Sequence, residues 1–189
     1  MPFKLLRRFW KDTSAAVAME AVIITPVLAW AFIGSFVVFD AFRTYNTSIK
    51  ATYAVADILS RQTNTVYAYD IEGMTRIFEH MVRNHGDARL RATQIMYDAN
   101  TDTYSVDWSH ATNGEARLFT ANLIDLEGRL PIMAHAERIL LVETYIPYRP
   151  AFDAGLSLLT FENFTFTRPR YAGQVPFNPT VTAPPAQTS

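Results

Sequence analysis

Residues 15–39 read AAVAMEAVIITPVLAWAFIGSFVVF, and how this stretch is read decides the fold. From Ala21 to Phe39 it carries no formal charge. As an α-helix it is ~28 Å long at ~1.5 Å per residue, about one bilayer hydrocarbon core. A cleaved secretory signal has a shorter apolar core, followed by a small-x-small site. Here Ser14, Ala15, Ala16 and Ala18 precede the core instead. A buried core helix would need enough chain to cover it on every face, and the basic flank argues against that. The stretch therefore reads as a membrane span. Pro26 removes one helical donor, which a span tolerates better than a soluble helix does. Gly34 offers a place for another helix to approach closely.

Lys4, Arg7, Arg8 and Lys11 precede the span, against Asp12 alone, while Asp40 and Arg43 after it roughly cancel. Positive charge stays on the cytoplasmic side. The N-terminus is thus expected in the cytoplasm, and everything after Asp40 outside it. Glu20 is the exception in the apolar run. A central acidic residue costs ~2.5–3.5 kcal/mol on insertion scales, and less near the end of a span. One reading is a side chain that snorkels to the headgroups. The other is a carboxylate that meets a positive partner in or beside the membrane.

A basic leader, a small residue, four mostly apolar residues, Glu and an apolar run together resemble the start of type IV prepilins. The resemblance implies a cut by prepilin peptidase between Ala15 and Ala16, on the cytoplasmic side. Glu20 would then be the fifth residue of the mature chain, partnered by the new amino group of Ala16, most usefully that of a neighbouring subunit. The chain departs from the usual pattern at Ala15, where pilins normally have Gly, and at Ala21, where the Flp/Tad group usually has an aromatic residue. The longer stretch RRFWKDTSAAVAMEAVIITPVLAWAF resembles the opening of TadE/TadF-like pseudopilins of the tight-adherence pilus system. LLVETYIPYRP and FTFTRPRY resemble their C-terminal strands more loosely. The family resemblance implies a minor pilin rather than an enzyme, with no cofactor and no small-molecule substrate. It implies as partners the bilayer, the prepilin peptidase, other pilins and the pilus assembly platform. It also implies a single-pass protein of the inner (cytoplasmic) membrane, with its C-terminal domain periplasmic or extracellular. The competing reading is a single-span, membrane-anchored extracytoplasmic binding domain or enzyme in which Glu20 has an unrelated role.

Beyond Asp40 the pattern becomes one-sided. Phe42, Tyr45, Ile49, Tyr53, Ala56 and Leu59 recur at helical spacing, and no Pro or Gly interrupts residues 35–62. The span is therefore expected to continue as one helix, ~70 Å long in all, with this stripe packed on a sheet. DIEGMTRIFEHMVRNHG reads as a second helix. Ile71, Met74, Ile77, Phe78 and Met81 share its face, and Gly86 ends it. LRATQIMYDANTDTYSVDWS reads as a β-hairpin, residues 113–136 as loops with a short helix, and AERILLVETYIPY and LTFENFTFTR as two strands. In the last, Phe161, Phe164 and Phe166 do not alternate strictly, which leaves the register open.

The expected fold is α+β and pilin-like. A long N-terminal helix, half membrane-spanning and half amphipathic, packs on a small antiparallel sheet with a second helix. Residues 1–15 form a basic leader, 16–39 the transmembrane helix segment, 40–171 the extracytoplasmic domain, and 172–189 a Pro-rich disordered tail.

Other chemistry leaves little trace. A net charge of -1 gives no sign of a nucleic-acid partner, and the absence of cysteine excludes disulfides and thiolate metal sites. His80, His85, His110 and His135 have no zinc-ligand spacing. Asp98, Asn100 and Asp102 echo a calcium loop but put Thr103 where its Gly belongs, so a turn is the better reading. No GxSxG, Walker A or GxGxxG motif occurs. The charge asymmetry around the span makes a direct prediction. A reporter fused after Ser189 should be active only if it works outside the cytoplasm, and activity of a cytoplasm-only reporter there would reverse the orientation.

Overall fold

The apolar run and the amphipathic stretch form one continuous helix, α1 (Thr13–Ser60), in the computed structural model of the chain, which describes residues 13–83, 87–152 and 158–180. The chain divides into two compact units: Met1–Phe42 with Arg149–Ser157, and Arg43–Tyr148 with Leu158–Ser189. In the first, α1 is long and apolar enough to cross a membrane, with a mean hydropathy of 2.3 over its most apolar window and almost none of that window buried. Two of its hydroxyls are turned onto its own backbone. Thr25 Oγ1 donates to Ala21 O at 2.6 Å, and Ser35 Oγ to Ala31 O at 2.8 Å. Helical back-bonding of this kind leaves no hydroxyl donor open to an apolar surrounding.

The second unit is built on a four-stranded antiparallel sheet. Its strands are β2 (Arg89–Asp98), β3 (Thr103–Ala111), β4 (Arg138–Tyr148) and β5 (Leu159–Thr167), in spatial order β3-β2-β4-β5. A short strand β1 (Val66–Tyr67) precedes helix α2 (Ala68–Val82) and pairs in parallel with β6 (Phe177–Asn178). The expected α+β class, with a long N-terminal helix and a small antiparallel sheet, is what the chain adopts. The β2–β3 hairpin turns through Asp98–Asp102. Asp98 Oδ1 accepts the Asn100 N–H at 2.9 Å, Asp102 Oδ1 accepts the Tyr97 hydroxyl at 2.7 Å, and Asp102 sits in the left-handed region with φ of 53°. Both carboxylates are thus committed to the turn.

Two cores lie on opposite faces of the sheet. One face presents Leu90, Ala92, Leu140, Val142 and Ile146 to α1 and α2. The other presents Ile95, Ile139 and Leu141 to Leu118, Leu123 and Met133, the last three in and around a 3-10 segment, Thr120–Arg129. β4 is covered on both sides, which is why ILLV runs apolar without alternating. A bulge lets β3 serve both cores. Gln94 pairs with Trp108 but Ile95 with Val106, so Asp107 is an extra residue. Tyr104 and Val106 therefore face the second core, while Trp108 faces the first.

Several expectations need correction. The buried face of α1 in this unit is Ser48, Ala51, Thr52, Val55, Ala56, Leu59 and Ser60. Of the aromatic stripe, Phe42 is exposed, Tyr45 and Tyr53 are 38% and 59% exposed, and only Ala56 and Leu59 belong to the core. The small residues are the buried ones, and their hydroxyls find partners on the sheet. Thr52 Oγ1 and Thr144 Oγ1 are 2.7 Å apart, and Asn163 Nδ2 donates to Ser48 Oγ at 2.8 Å. β5 answers this seam with Asn163 and Thr165 inward, leaving Phe164 exposed and Phe166 on the second-core face. On α2, Ile77 and Met81 are exposed, and Thr75 and Val82 take the buried positions. The helix ends at Arg83 in the left-handed conformation, its N–H bonded to Glu79 O and His80 O, before Gly86, which lies outside the described residues.

The segment expected as a disordered tail starts inside the fold. Val175 is fully buried, its N–H donates to Gln94 Oε1 at 2.8 Å, and its carbonyl accepts from Trp108 Nε1 at 2.8 Å. Only 181–189 of that segment, like the leader up to residue 12, fall outside the described residues. The reassigned helix face is directly testable. Leu59→Ala should destabilise the chain by about 2–5 kcal/mol, whereas Tyr53→Ala should stay within about 0.5 kcal/mol of wild type. Denaturant unfolding of both variants, in detergent, measures this. The reverse order would restore the aromatic face to the core.

Candidate functional site

The residues singled out for function lie near the start of α1. Ala15 and Ala16 are in its first turn, and Glu20 follows Ala16 by four residues. Residues four apart share a helix face, ~6 Å apart along the axis. A cut between Ala15 and Ala16 would therefore leave a free amine one turn below the Glu20 carboxylate, on the same side. That bond is helical here, so a peptidase would first have to unwind the opening turn. Glu20 is exposed, and among the described residues nothing pairs with it. Val17, Met19, Val22 and Ile23 around it are each more than half exposed. One charge thus sits on an otherwise apolar, uncovered surface.

In the second unit the displaced aromatic stripe also makes a surface. Tyr45, Ile49 and Tyr53 line a shallow cavity of about 180 Å³ with Glu162, Asn163, Phe164 and Thr165 of β5. Tyr45 leans on Phe161, with ring centroids 5.4 Å apart. β5 is a terminal strand of the sheet.

Two polar clusters escaped the sequence reading, because each joins residues far apart in the chain. On the second-core face Arg91 clasps Glu143 with two bonds of 2.6 and 2.7 Å. It also donates to Tyr145 Oη at 3.0 Å and Ala116 O at 3.1 Å. Burial, reinforced by Glu143, pushes the Tyr145 phenol up to about 12. Neither that phenol nor the guanidinium exchanges protons near neutral pH. The cluster is a clamp between β2, β4 and the chain at 115–116.

The second cluster surrounds His110. It lines a polar cavity of about 310 Å³ between α2 and the end of β3, with Glu72, Arg76, Glu79, Thr112 and Asn113 among its neighbours. His110 is 9% exposed, and its Nδ1 has no hydrogen-bond partner among the described residues. Elsewhere, His80 is exposed on α2, His85 lies outside the described residues, and His135 sits 3.4 Å from Asp98 at the hairpin turn. Among the described residues no group of three or more His, Asp or Glu could hold a metal ion. Compared with protein-family models, with curated proteins and with solved structures, the chain matches none.

Burial holds the His110 imidazole below the ordinary histidine range; Arg117 adds to this and Glu72 opposes it. The folded chain therefore takes up a proton less readily here than the unfolded chain does. Its stability is undiminished above the unfolded value of about 6.5 and falls as pH drops below it. His110→Gln should flatten the stability profile between about pH 7 and pH 5. Parallel unfolding titrations of wild type and variant measure the difference, and superimposable slopes would remove His110 as an acid-sensitive element.

Proposed function

We propose that the chain is a membrane-anchored minor pilin or pseudopilin, of TadE/TadF-like type, that takes part in assembling a tight-adherence pilus and is not an enzyme. The observation that carries this reading is Glu20, a lone exposed carboxylate on an apolar helix, one turn from the bond after Ala15. In a single subunit the carboxylate reaches headgroup water. In an assembly of packed helices it would be drawn from water and would need a cation. The amine released at Ala16 by prepilin peptidase is positively charged near neutral pH. Buried alone, each group is costly; buried as a pair, much less so. The pairing would also set the register of one subunit against the next. The proposed orientation puts the leader in the cytoplasm and the sheet domain outside.

The reading separates two effects. Glu20→Gln should leave membrane insertion and protein level near wild type, yet reduce cross-linking to other pilins and lower piliation. Ala15→Asp should block the cut, because a peptidase that takes Gly or Ala there has little room. Immunoblotting, cross-linking and a piliation assay on both variants test this. If Glu20→Gln cross-links and piliates like wild type, Glu20 only snorkels. The anchored binding domain or enzyme then becomes the better reading. Mass spectrometry of the mature N-terminus distinguishes the two independently: Ala16 as first residue fits the pilin, and an intact Met1 in an active protein fits the alternative.

A further inference from the structure

A groove of about 400 Å³ runs beside β3, the sheet edge away from β5. Trp108, Arg117, Phe119, Phe177 and Pro179 are among its lining residues. Trp108 stacks on Phe177 with centroids 4.8 Å apart and planes at 21°, and Phe119 is 65% exposed. The formal charges in the lining are Asp107 and Arg117. Asp107 is already engaged by Gln94 and Arg138, each at 2.8 Å. The groove therefore offers aromatic faces and little free charge.

The chain itself runs to this groove. Pro179 lines it, and the next residue folds back: the Thr180 N–H donates to Asn178 Oδ1 at 2.9 Å, and the Thr180 hydroxyl bonds the same oxygen. Residues 181–189 follow with the sequence VTAPPAQTS, which contains a proline pair and no charged side chain. Aromatic grooves favour such segments because proline pre-sets an extended conformation, so little further entropy is lost on docking. The reach suffices, since four residues from Thr180 to Pro184 span about 12 Å in that conformation. A tether this short also gives a high effective concentration.

We propose that the groove is a docking site for an extended proline-rich segment, and that its occupant is the chain's own 181–189. The proposal does not depend on the pilus reading. Because the chain has no cysteine, Arg117→Cys with Ala186→Cys carries the only two thiols. In the full chain, held in detergent, a short bis-maleimide should link the two within one molecule. Adding Pro184→Ser with Pro185→Ser, or Phe119→Ala, should lower the linked fraction roughly two- to tenfold. Phe119 is exposed, so its truncation leaves both cores intact. A linked dimer would assign the groove to a second copy and overturn seating by the chain's own tail. An absent link, or one indifferent to the proline and Phe119 changes, would overturn the docking site itself.

Discussion

The fold of the sheet domain depends on a seam of polar side-chain contacts between one helix and one sheet. Ser48, Ala51, Thr52, Val55 and Ala56 give α1 a thin face, and the sheet meets it with Thr144 and Asn163. Such a seam buries hydroxyls. An unsatisfied one costs ~1–3 kcal/mol. Thr52 and Ser48 donate to their own helix, at Ser48 O and Tyr45 O, and in addition engage Thr144 and Asn163, so the two sheet side chains gain partners across the seam. Leu59, Phe78, Leu90 and Leu140 then supply the apolar burial around the seam, roughly 1.5–3 kcal/mol for each large side chain. The aromatic residues of α1 are too large for the seam and are left beside it.

That constraint explains what the sequence disclosed and what it hid. The existence of α1, its continuity and its apolar first half were legible because uninterrupted helical spacing and a charge-free run are strong signals. The hairpin was legible from Asp98, Asn100 and Asp102. The buried face of α1 was not. Hydropathy weights Tyr45, Ile49 and Tyr53 above Ser48 and Thr52, and a shift of one residue turns the helix face by about 100°. The register of β5 stayed open for a related reason: its large residues Phe164 and Phe166 point away from α1 while Asn163 and Thr165 point toward it. In both elements the inward positions are filled by residues whose partners lie about a hundred places away in the chain. No local pattern announces such partners.

The site divides along the same line. Glu20 was visible because a charge in an apolar run is a local anomaly. The Arg91–Glu143–Tyr145 clamp and the setting of His110 were invisible, since each needs the register of β2 against β4 or the packing of α2 on β3. The early part of the tail was hidden for a third reason. Val175 looks like an isolated apolar residue among prolines, yet it fills the first core and satisfies Gln94, the residue paired with Trp108 beside the β3 bulge. The bulge turns Trp108 toward that core, and Trp108 in turn donates to the Val175 carbonyl. A single extra residue, Asp107, thus prepares the place for a segment that follows almost seventy residues later.

Seam and span obey one rule: a polar group enters an apolar setting only with its partner. Within the sheet domain the partners come from the same chain, so the seam closes on folding. Glu20 differs in having no partner among the described residues and no other charged residue within the surrounding 13–39. If Glu20 is ever withdrawn from water, its counter-charge must come from outside that stretch, or be made within it by cutting the chain. The second route needs no new residue, since hydrolysis before Ala16 creates the amine at the required helical spacing. It also makes the charge conditional on processing. An uncut chain would carry the carboxylate alone and would resist burial, while a cut chain would carry both signs and accept it.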